Sequence, residues 1–290
     1  MKHEMIENLT LIVKKIAITF IHVIRIITAP IRVEPHFLII GAQKAGTTSL
    51  YIYLTSHPQI KFAFTKEVQF FDSNFHKGFL WYRSFFHTKI YKYFMKILFS
   101  RTIITGEASP YYVLHPKVAQ RVYKKLPNIK IIILLRNPID RAFSQYFHSV
   151  NKGKENLTFV EAIKLEEKRI KDEYEKLKKY ERYKSADFPG FAYKFRGIYI
   201  NQLKAWYELF PKNQIFIINS QDLFKKPDSV MISLYKFLGV PYWPYIQYKK
   251  YHSETQDRKM SDHTRNYLKN YFEPYNKQLF KFLDKDFEWN

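Results

Sequence analysis

The stretch that decides the fold of this 290-residue chain is Phe37-Leu-Ile-Ile-Gly-Ala-Gln-Lys-Ala-Gly-Thr-Thr-Ser-Leu50. Its apolar start predicts a strand, its small residues predict a tight turn, and its end predicts the first turn of a helix. Gly41 and Gly46 let the backbone curl so that several N–H groups point to one spot, where the helix N-terminus adds partial positive charge. The segment therefore predicts a cradle for a phosphate-like anion.

The loop resembles a Walker A phosphate-binding loop but departs from it at the lysine. A Walker A loop places the lysine directly after the second glycine, whereas here Thr47 has that position and the lysine is Lys44. A nucleoside triphosphatase also needs an acidic residue after a second apolar strand to help hold Mg²⁺. The strongest second strand, 129–135, is followed by Arg136 instead. A lysine and an arginine at one site predict neutralisation of a polyanion without a metal.

Two segments together, 43–49 and 135–144, resemble the sulfotransferase family, and each of them follows an apolar strand. The resemblance implies that the first loop holds the 5′-phosphosulfate of 3′-phosphoadenylyl sulfate (PAPS) and that the second motif holds its 3′-phosphate. The C-terminal stretch 256–261 resembles the loop that closes over the phosphosulfate. The nucleotide-binding residues implied in this way are Lys44, Ala45, Gly46, Thr47, Thr48, Ser49, Arg136, Ser144, Lys259 and, as an alternative to Lys259, Arg258.

Further blocks are similar to the heparan-sulfate group of this family, first to the N-sulfotransferase domain and next to the glucosaminyl 3-O-sulfotransferases. They begin with Lys66-Glu-Val-Gln-Phe-Phe-Asp72 and the likeness extends over residues 36–290. Gln69 matches the N-sulfotransferases, and Ala108 stands where the 3-O-sulfotransferases have lysine. The resemblance implies a carbohydrate acceptor that is anionic or contains an amino sugar, and it leaves N- and O-sulfation open.

Four side chains are candidates for the chemistry of transfer. Lys44 is expected to stabilise charge that grows on the leaving phosphate. Glu67 is the first candidate for the general base, because the resemblance places the family's catalytic glutamate there, whereas without the resemblance a lone glutamate beside a lysine is usually a surface charge. The aromatic pair 70–71 also predicts a desolvated carboxylate with a raised pKa. Glu107 is the alternative base. His148 matches a histidine of the N-sulfotransferase pattern, although a helix histidine with its hydrogen bonds satisfied is an equal interpretation. For packing the adenine, Tyr199 and Tyr251 are candidates.

Apolar runs of strand length at 37–40, 60–64, 102–105, 130–135 and 214–218 alternate with helical patterns. This alternation predicts an α/β fold with a central parallel sheet flanked by helices, which is the P-loop-like fold that the resemblance implies.

Three helices have expected bounds or caps. The first runs from Thr47 or Thr48 to Leu54. Asp140 is expected to cap the helix that carries Ser144 and His148 on one face. A densely charged stretch at 158–183 predicts a solvated helix.

Composition favours anionic ligands and one catalytic domain. The 48 Lys and Arg residues against 26 Asp and Glu give a net charge of +22, although a lysine-rich proteome would also explain this surplus. The chain has no cysteine, which excludes disulfides and Cys-ligated metals and favours a reducing, cytoplasmic location. Beyond the charge itself, no motif for reading nucleic acid is present.

The first 35 residues are expected to form an apolar and basic helix ahead of the catalytic domain 36–290. Residues 9–30 are apolar but are interrupted by Lys14, Lys15, His22 and Arg25. The uninterrupted run is shorter than the ~20 residues that span a bilayer. Peripheral membrane contact through 9–30 is the first expectation, and a helix packed on the domain or a true anchor are the alternatives.

Two other functional classes compete with a metal-independent, PAPS-dependent transferase. A kinase or triphosphatase is disfavoured by the displaced lysine and by Arg136. A basic binding protein for polysaccharide or nucleic acid would fit the net charge. Tight binding of the transfer product adenosine 3′,5′-bisphosphate, indifferent to Mg²⁺, would separate the first class from the second.

Overall fold

The described part of the computed structural model, residues 2–249 and 258–289, contains one parallel sheet of five strands. The spatial order of the strands is β2-β3-β1-β4-β5. Their bounds are β1 (Phe37–Gly41), β2 (Ile60–Phe62), β3 (Ile104–Ala108), β4 (Lys130–Leu135) and β5 (Ile215–Asn219). The predicted α/β class with a central parallel sheet is confirmed.

Helices fill the connections between these parallel strands and extend to both ends of the chain. Within the described ranges they are α1 (Lys2–Ile27), α2 (Thr47–Thr55), α3 (Phe79–Arg83), α4 (Lys89–Phe99), α5 (Val118–Lys125), α6 (Pro138–Asn151), α7 (Phe159–Lys179), α8 (Phe188–Phe191), α9 (Tyr199–Tyr207), α10 (Ser220–Lys225), α11 (Pro227–Leu238) and α12 (Asp262–Leu283).

The central strand β1 determines where the site can form. All five of its residues are buried, and it pairs with β3 on one side and β4 on the other. Leu38 lies opposite Glu107 of β3 and opposite Ile131 of β4. The carboxyl ends of these three strands therefore meet at one edge, where ligands bind in open parallel sheets.

The strand predictions are confirmed with small shifts at their ends. The expected strand 102–105 forms at Ile104–Ala108, the strand 214–218 forms at Ile215–Asn219, and the stretch 60–64 is a strand only over Ile60–Phe62. The helix after the first loop begins at Thr47 as expected and ends one residue later than expected, at Thr55.

The predicted cap of α6 is wrong. Asn137 caps this helix, because its side chain accepts a hydrogen bond from the Ile139 N–H and Pro138 has the first helical position. Proline suits that position, since its missing N–H would have no partner there. Asp140 instead lies in the first turn, where its carboxylate pairs with Arg265 at 2.8 Å.

The expectation of a plainly solvated helix over 158–183 is wrong for one face of α7. Thr158 and Glu161 form a capping box at its start, and the helix already ends at Lys179. Glu166 is buried and accepts the backbone N–H groups of Lys194, at 2.7 Å, and Phe195, at 2.8 Å. Burial raises the pKa of Glu166 to about 7, although these two bonds act against that rise. One charged residue of the helix thus anchors a neighbouring segment.

The helix α1 is attached to the domain near its C-terminal end. Arg25 donates hydrogen bonds to the carbonyls of Ser84, at 2.8 Å, and Phe86, at 2.9 Å. Its guanidinium also lies 4.7 Å from the centre of the Phe64 ring. Among the helices of the described residues, none has the length and apolarity needed to cross a membrane.

Candidate active site

A cavity of about 500 Å³ opens at the carboxyl edge of the sheet, beside the loop that follows β1. Its wall combines that loop with the start of α6, with residues 219–221 after β5 and with the C-terminal Trp289. The structure brings most of the predicted site residues together on this wall, namely Lys44, Gly46, Thr47, Thr48, Glu67, Arg136, Ser144 and His148.

The backbone of the loop between β1 and α2 has two residues with positive φ angles, Lys44 and Gly46. Gly46 has φ +97°, and a Cβ added there would lie 2.9 Å from the Phe224 ring. Glycine is required at such a position, because other residues would combine backbone strain with a clash. Lys44 also has a positive φ of 69°, and its carbonyl accepts a 2.9 Å hydrogen bond from Arg136 Nη1. Phe224 on one side and Arg136 on the other thus restrict the conformation of this loop.

Two members of the predicted loop lie behind the cavity surface. Of the described residues, Ala45 and Ser49 are fully buried and are not part of the wall. The Ala45 N–H donates to the Ala42 carbonyl at 3.1 Å within the turn, whereas the Ser49 N–H belongs to the first turn of α2, where N–H groups have no intrahelical acceptor.

The second motif supplies another part of the cavity wall. Arg136 follows β4, and Ser144 and His148 lie one turn apart on α6. Burial lowers the pKa of Arg136, while the nearby Asp140 raises it. Arginine keeps its charge in proteins, so Arg136 is a cation on this wall.

Glu67 lies on the cavity wall but is exposed, so the predicted desolvation by the aromatic pair is wrong. Phe70 and Phe71 are buried in the core, where Phe70 stacks on Tyr82 with ring centres 4.6 Å apart. Glu67 and Gln69 both have left-handed backbones, with φ of 59° and 52°. These two residues turn the chain, so that adjacency in sequence does not bring the carboxylate against the aromatic rings.

Glu107, the alternative base, is the carboxylate that is desolvated. It is buried and accepts hydrogen bonds from the hydroxyls of Tyr82, at 2.8 Å, Tyr112, at 3.0 Å, and Ser109, at 3.1 Å. Burial raises the pKa of Glu107 to about 7, although the three hydroxyl groups act in the opposite direction. Within the described chain, Glu107 is not part of the cavity wall.

A second cavity of about 340 Å³ adjoins the first. Both cavities are lined by Gln43, Glu67 and Pro110. The second one also contains Asp72, whose Oδ2 is buried with no hydrogen-bond partner among the described residues and whose pKa is raised by burial to about 6. Its wall is completed by residues that include Gln69, His115, Lys154, Leu177, Lys184 and Arg196. The charged helix α7 borders this cavity through Leu177.

The wall also holds residues to which the sequence assigned no role. Gln43, Lys66 and Asn137 lie within the motifs, whereas Pro110, Lys152, Asn219, Ser220, Gln221, Phe224, Lys225 and Trp289 lie outside them. Lys66 could have been found from the sequence, because it directly precedes the candidate base Glu67. Its ammonium donates a 2.6 Å hydrogen bond to Thr48 Oγ1. Gln43 accepts a hydrogen bond from Arg196, far along the chain. Trp289 had no signal, since only the fold brings the C-terminus to this edge.

The aromatic candidates for adenine packing have different outcomes. Tyr199 is buried, donates a 2.8 Å hydrogen bond to the Arg136 carbonyl and lies behind Trp289, with ring centres 5.8 Å apart. In the described structure the cavity wall therefore carries Trp289 and not Tyr199. Tyr251 lies outside the described residues.

The predicted closing loop is described only in part, since residues 250–257 lie outside the described ranges. The Arg258 guanidinium lies 4.0 Å from the centre of the Phe147 ring on α6. In the described structure neither Arg258 nor Lys259 is on the cavity wall. Their contact with the nucleotide stays a prediction.

Within residues 2–249 and 258–289, no group of three or more His, Cys, Asp or Glu residues is arranged to hold a metal ion.

Comparison with known proteins gives one family. Residues 34–286 match the family described as a sulfotransferase domain. The "Membrane-associated sulfotransferase kil1" of Dictyostelium discoideum is 29% identical over 88% of this chain and 66% of its own length. The "Bifunctional heparan sulfate N-deacetylase/N-sulfotransferase 2" of Homo sapiens is 31% identical over 74% of this chain.

The matched lengths limit what these relatives imply. This chain spans 66% of the Dictyostelium protein and only 23% of the human one. Among solved structures, a sulfotransferase from Alicyclobacillus acidocaldarius superposes with a TM-score of 0.65 and 31% identity, covering 88% of this chain and 97% of that one.

Replacing Glu107 by glutamine should remove a pH dependence of stability. The pKa of Glu107 is about 7 in the folded protein against an ordinary 4.5, so in this window the folded state keeps a proton that the unfolded state has lost. As the pH rises from 4.5 to about 7, the free energy of unfolding of the wild type should therefore fall relative to that of Glu107→Gln, by roughly 1.4 kcal/mol per pH unit. Above pH 7 the difference should stay constant.

Urea unfolding of both proteins at half-unit steps of pH measures this difference. Glu166, whose pKa is also raised by burial, is present in both proteins, so its contribution cancels. A difference that does not change with pH would contradict the protonation of Glu107 in the folded state.

Proposed function

The chain belongs to the sulfotransferase family, and on that basis we propose that it transfers the sulfuryl group of PAPS to a carbohydrate. The acceptor atom is an amino or hydroxyl group of a polysaccharide or glycolipid, and the second product is adenosine 3′,5′-bisphosphate. One observation supports this reaction most directly, namely that Glu67 lies on the wall shared by both cavities. A general base is needed where the donor and the acceptor meet.

The first cavity fits a nucleotide donor in size and charge. Its volume of about 500 Å³ is in the usual range of small-molecule sites. Lys44 and the start of α2 suit the 5′-phosphosulfate, because N–H groups at a helix N-terminus bind anions. Arg136 and Ser144 suit the 3′-phosphate, since a guanidinium and a hydroxyl are donors to phosphate oxygens. The rings of Phe224 and Trp289 on the same wall offer apolar surface for a base.

The proposed step forms a bond from sulfur to the acceptor nitrogen or oxygen and breaks the bond from sulfur to the bridging phosphate oxygen. The electron pair of the broken bond stays on the phosphate, where Lys44 stabilises the charge. The acceptor proton passes to the Glu67 carboxylate, which is exposed and so can be reached by an acceptor. His148 on the same wall assists in positioning the acceptor or in the proton transfer.

The second cavity suits a carbohydrate that carries amino or acidic groups. Asp72 offers a buried carboxylate oxygen without a partner among the described residues, which suits an ammonium or hydroxyl donor. Lys154 and Lys184 on the same wall suit carboxylate or sulfate groups. Heparan sulfate is in the printed name of the human relative, and we take from it only the class of acceptor.

We further propose that the reaction needs no metal and that the enzyme is cytoplasmic with peripheral membrane contact through residues 9–30. Lys44 and Arg136 supply the positive charge that Mg²⁺ supplies in triphosphatases. The lack of cysteine supports a reducing compartment.

The experiment that tests this function has two parts. Calorimetric titration with adenosine 3′,5′-bisphosphate and with ATP, each with Mg²⁺ and with EDTA, should give tight, metal-independent binding of the bisphosphate alone. PAPS turnover is then measured against a panel of glycans that includes N-unsubstituted glucosamine polymers. Binding of ATP that requires Mg²⁺ would indicate a triphosphatase, and bisphosphate binding without turnover on any glycan would indicate a binding protein.

Glu67→Gln should abolish most turnover and leave nucleotide binding intact, because the amide keeps the size of the side chain but accepts no proton. Removal of a general base typically lowers rates by about 10²- to 10⁴-fold. Glu107→Gln is the matched control, since Glu107 is buried behind the cavity wall, and it should be milder. His148→Ala should be intermediate. Single-turnover transfer to the best acceptor measures all three variants.

The assignment of the base fails on one outcome of these measurements. If Glu67→Gln keeps more than about a tenth of the wild-type rate, well short of the usual loss, while Glu107→Gln is inactive, the base is Glu107.

Lys44→Ala and Arg136→Ala should differ in what they lose. The charge that Lys44 neutralises grows in the transition state, so Lys44→Ala should lower the transfer rate far more than it weakens nucleotide binding. Arg136→Ala should weaken binding of the bisphosphate by ~1.5–3 kcal/mol, as for a charge-assisted hydrogen bond. Titration calorimetry and single-turnover rates separate the two effects, and a loss of binding alone in both variants would contradict the role of Lys44.

A further inference from the structure

The helix α4 turns its apolar side outward. Within its sequence Lys-Ile-Tyr-Lys-Tyr-Phe-Met-Lys-Ile-Leu-Phe, all of which the structure describes, no residue is buried. Ile90, Phe94, Ile97 and Leu98 follow the i, i+4, i+7, i+8 spacing of one helical face, and their exposed fractions are 54%, 54%, 57% and 66%. A surface helix of a globular domain normally packs such a stripe against the core.

One polar and one apolar residue of α4 are half-buried on the side that faces the domain. Lys92 is half-buried, and its ammonium lies 3.2 Å from Nε2 of His36. Met95, on the same side, is also half-buried. The apolar stripe of α4 is therefore not packed on the domain, so its burial requires another surface.

The C-terminal end of α1 lies at the start of α4. Arg32, just after α1, forms an antiparallel bridge with Thr88, the residue before α4, and its guanidinium donates to the carbonyl of Phe86 at 2.6 Å. Next to this junction, Ile27 is 73% exposed and Ile31 is 43% exposed. Exposed apolar side chains thus continue from α1 across the junction to α4.

Charge complementarity indicates what covers this surface. The segments 8–33 and 73–106 contain no Asp or Glu, although the chain has 26 of these residues. Lys89, Lys92 and Lys96 line a shallow cavity on α4 together with Tyr93 and Thr102. A partner must therefore offer an apolar layer beside an anionic layer, as an anionic lipid bilayer does at its interface. A second copy of this chain would oppose like charges across a two-fold contact.

We propose that α4, together with the exposed end of α1, binds the interface of an anionic membrane, with the stripe of Ile90, Phe94, Ile97 and Leu98 inserted and with Lys89 and Lys96 at the lipid headgroups. This surface goes beyond residues 9–30 and does not depend on the proposed transfer reaction. Within the described structure no residue of α4 lines either the first or the second cavity. Binding of α4 to a membrane therefore does not place this helix over either cavity.

The test is co-sedimentation of the full chain with phosphatidylcholine vesicles, with and without one third phosphatidylserine. Phe94→Ser/Leu98→Ser removes two apolar contacts and should lower the partition coefficient on the anionic vesicles at least about tenfold. Val160→Ser/Ile232→Ser is the matched control, because these residues are also exposed, at 40% and 48%, on other helices. The control should bind as the wild type does.

Lys89→Gln/Lys96→Gln should weaken binding by about fivefold per lysine on anionic vesicles. The same pair should change nothing on pure phosphatidylcholine, and Lys171→Gln/Lys212→Gln is its matched control on other exposed positions. Circular dichroism and thermal midpoints equal to those of the wild type establish that each variant is folded.

Three results would overturn the proposal. The first is wild-type binding that is equal on the two vesicle types. The second is an apolar α4 variant that binds as its control does, which would leave the contact to α1 alone. The third is a wild-type dimer in size-exclusion chromatography that does not sediment with vesicles and that Phe94→Ser/Leu98→Ser converts to a monomer.

Discussion

The hydrogen bond from Arg136 to the Lys44 carbonyl is the contact on which the site depends. It joins the residue after β4 to the loop after β1, which are neighbours only because the two strands pair in parallel. Tyr199 in turn holds the carbonyl of Arg136. These two bonds tie the loop to the end of β4 and to α9, and in the proposed transfer such preorganised donors need no rearrangement as charge develops.

The sequence predicted those parts of the site whose signals are local. The strand runs, the glycine turn and the helix from Thr47 follow from residues within a few positions of one another. The cap of α6 was misassigned because two capping residues, Asn137 and Asp140, lie three positions apart with Pro138 between them. Trp289 had no local signal, since its place on the cavity wall depends on how α12 packs against α6 and α9.

The two candidate bases show why burial is not a guide to catalysis by itself. Glu107 has the raised pKa that general bases often have, but its oxygens are already engaged by three hydroxyl groups within the core. Glu67 lacks that burial and stands where the two cavities meet. Geometry precedes pKa in choosing a base, and the sequence could not supply it, because the left-handed backbone at Glu67 is set by the fold.

The excess positive charge of the chain bears on two surfaces, the cavities at the sheet edge and the exposed face of α4. The net charge of +22 is a count with every carboxyl ionised, yet burial raises the pKa values of Glu107 and Glu166 to about 7. Near neutral pH part of these carboxyl groups is protonated, so the field outside is more positive than the composition states. Such a field concentrates anions over the whole surface. Selectivity must then come from the arrangement of the side chains, which is a cavity lined with charged groups at the sheet edge and an exposed apolar stripe along α4.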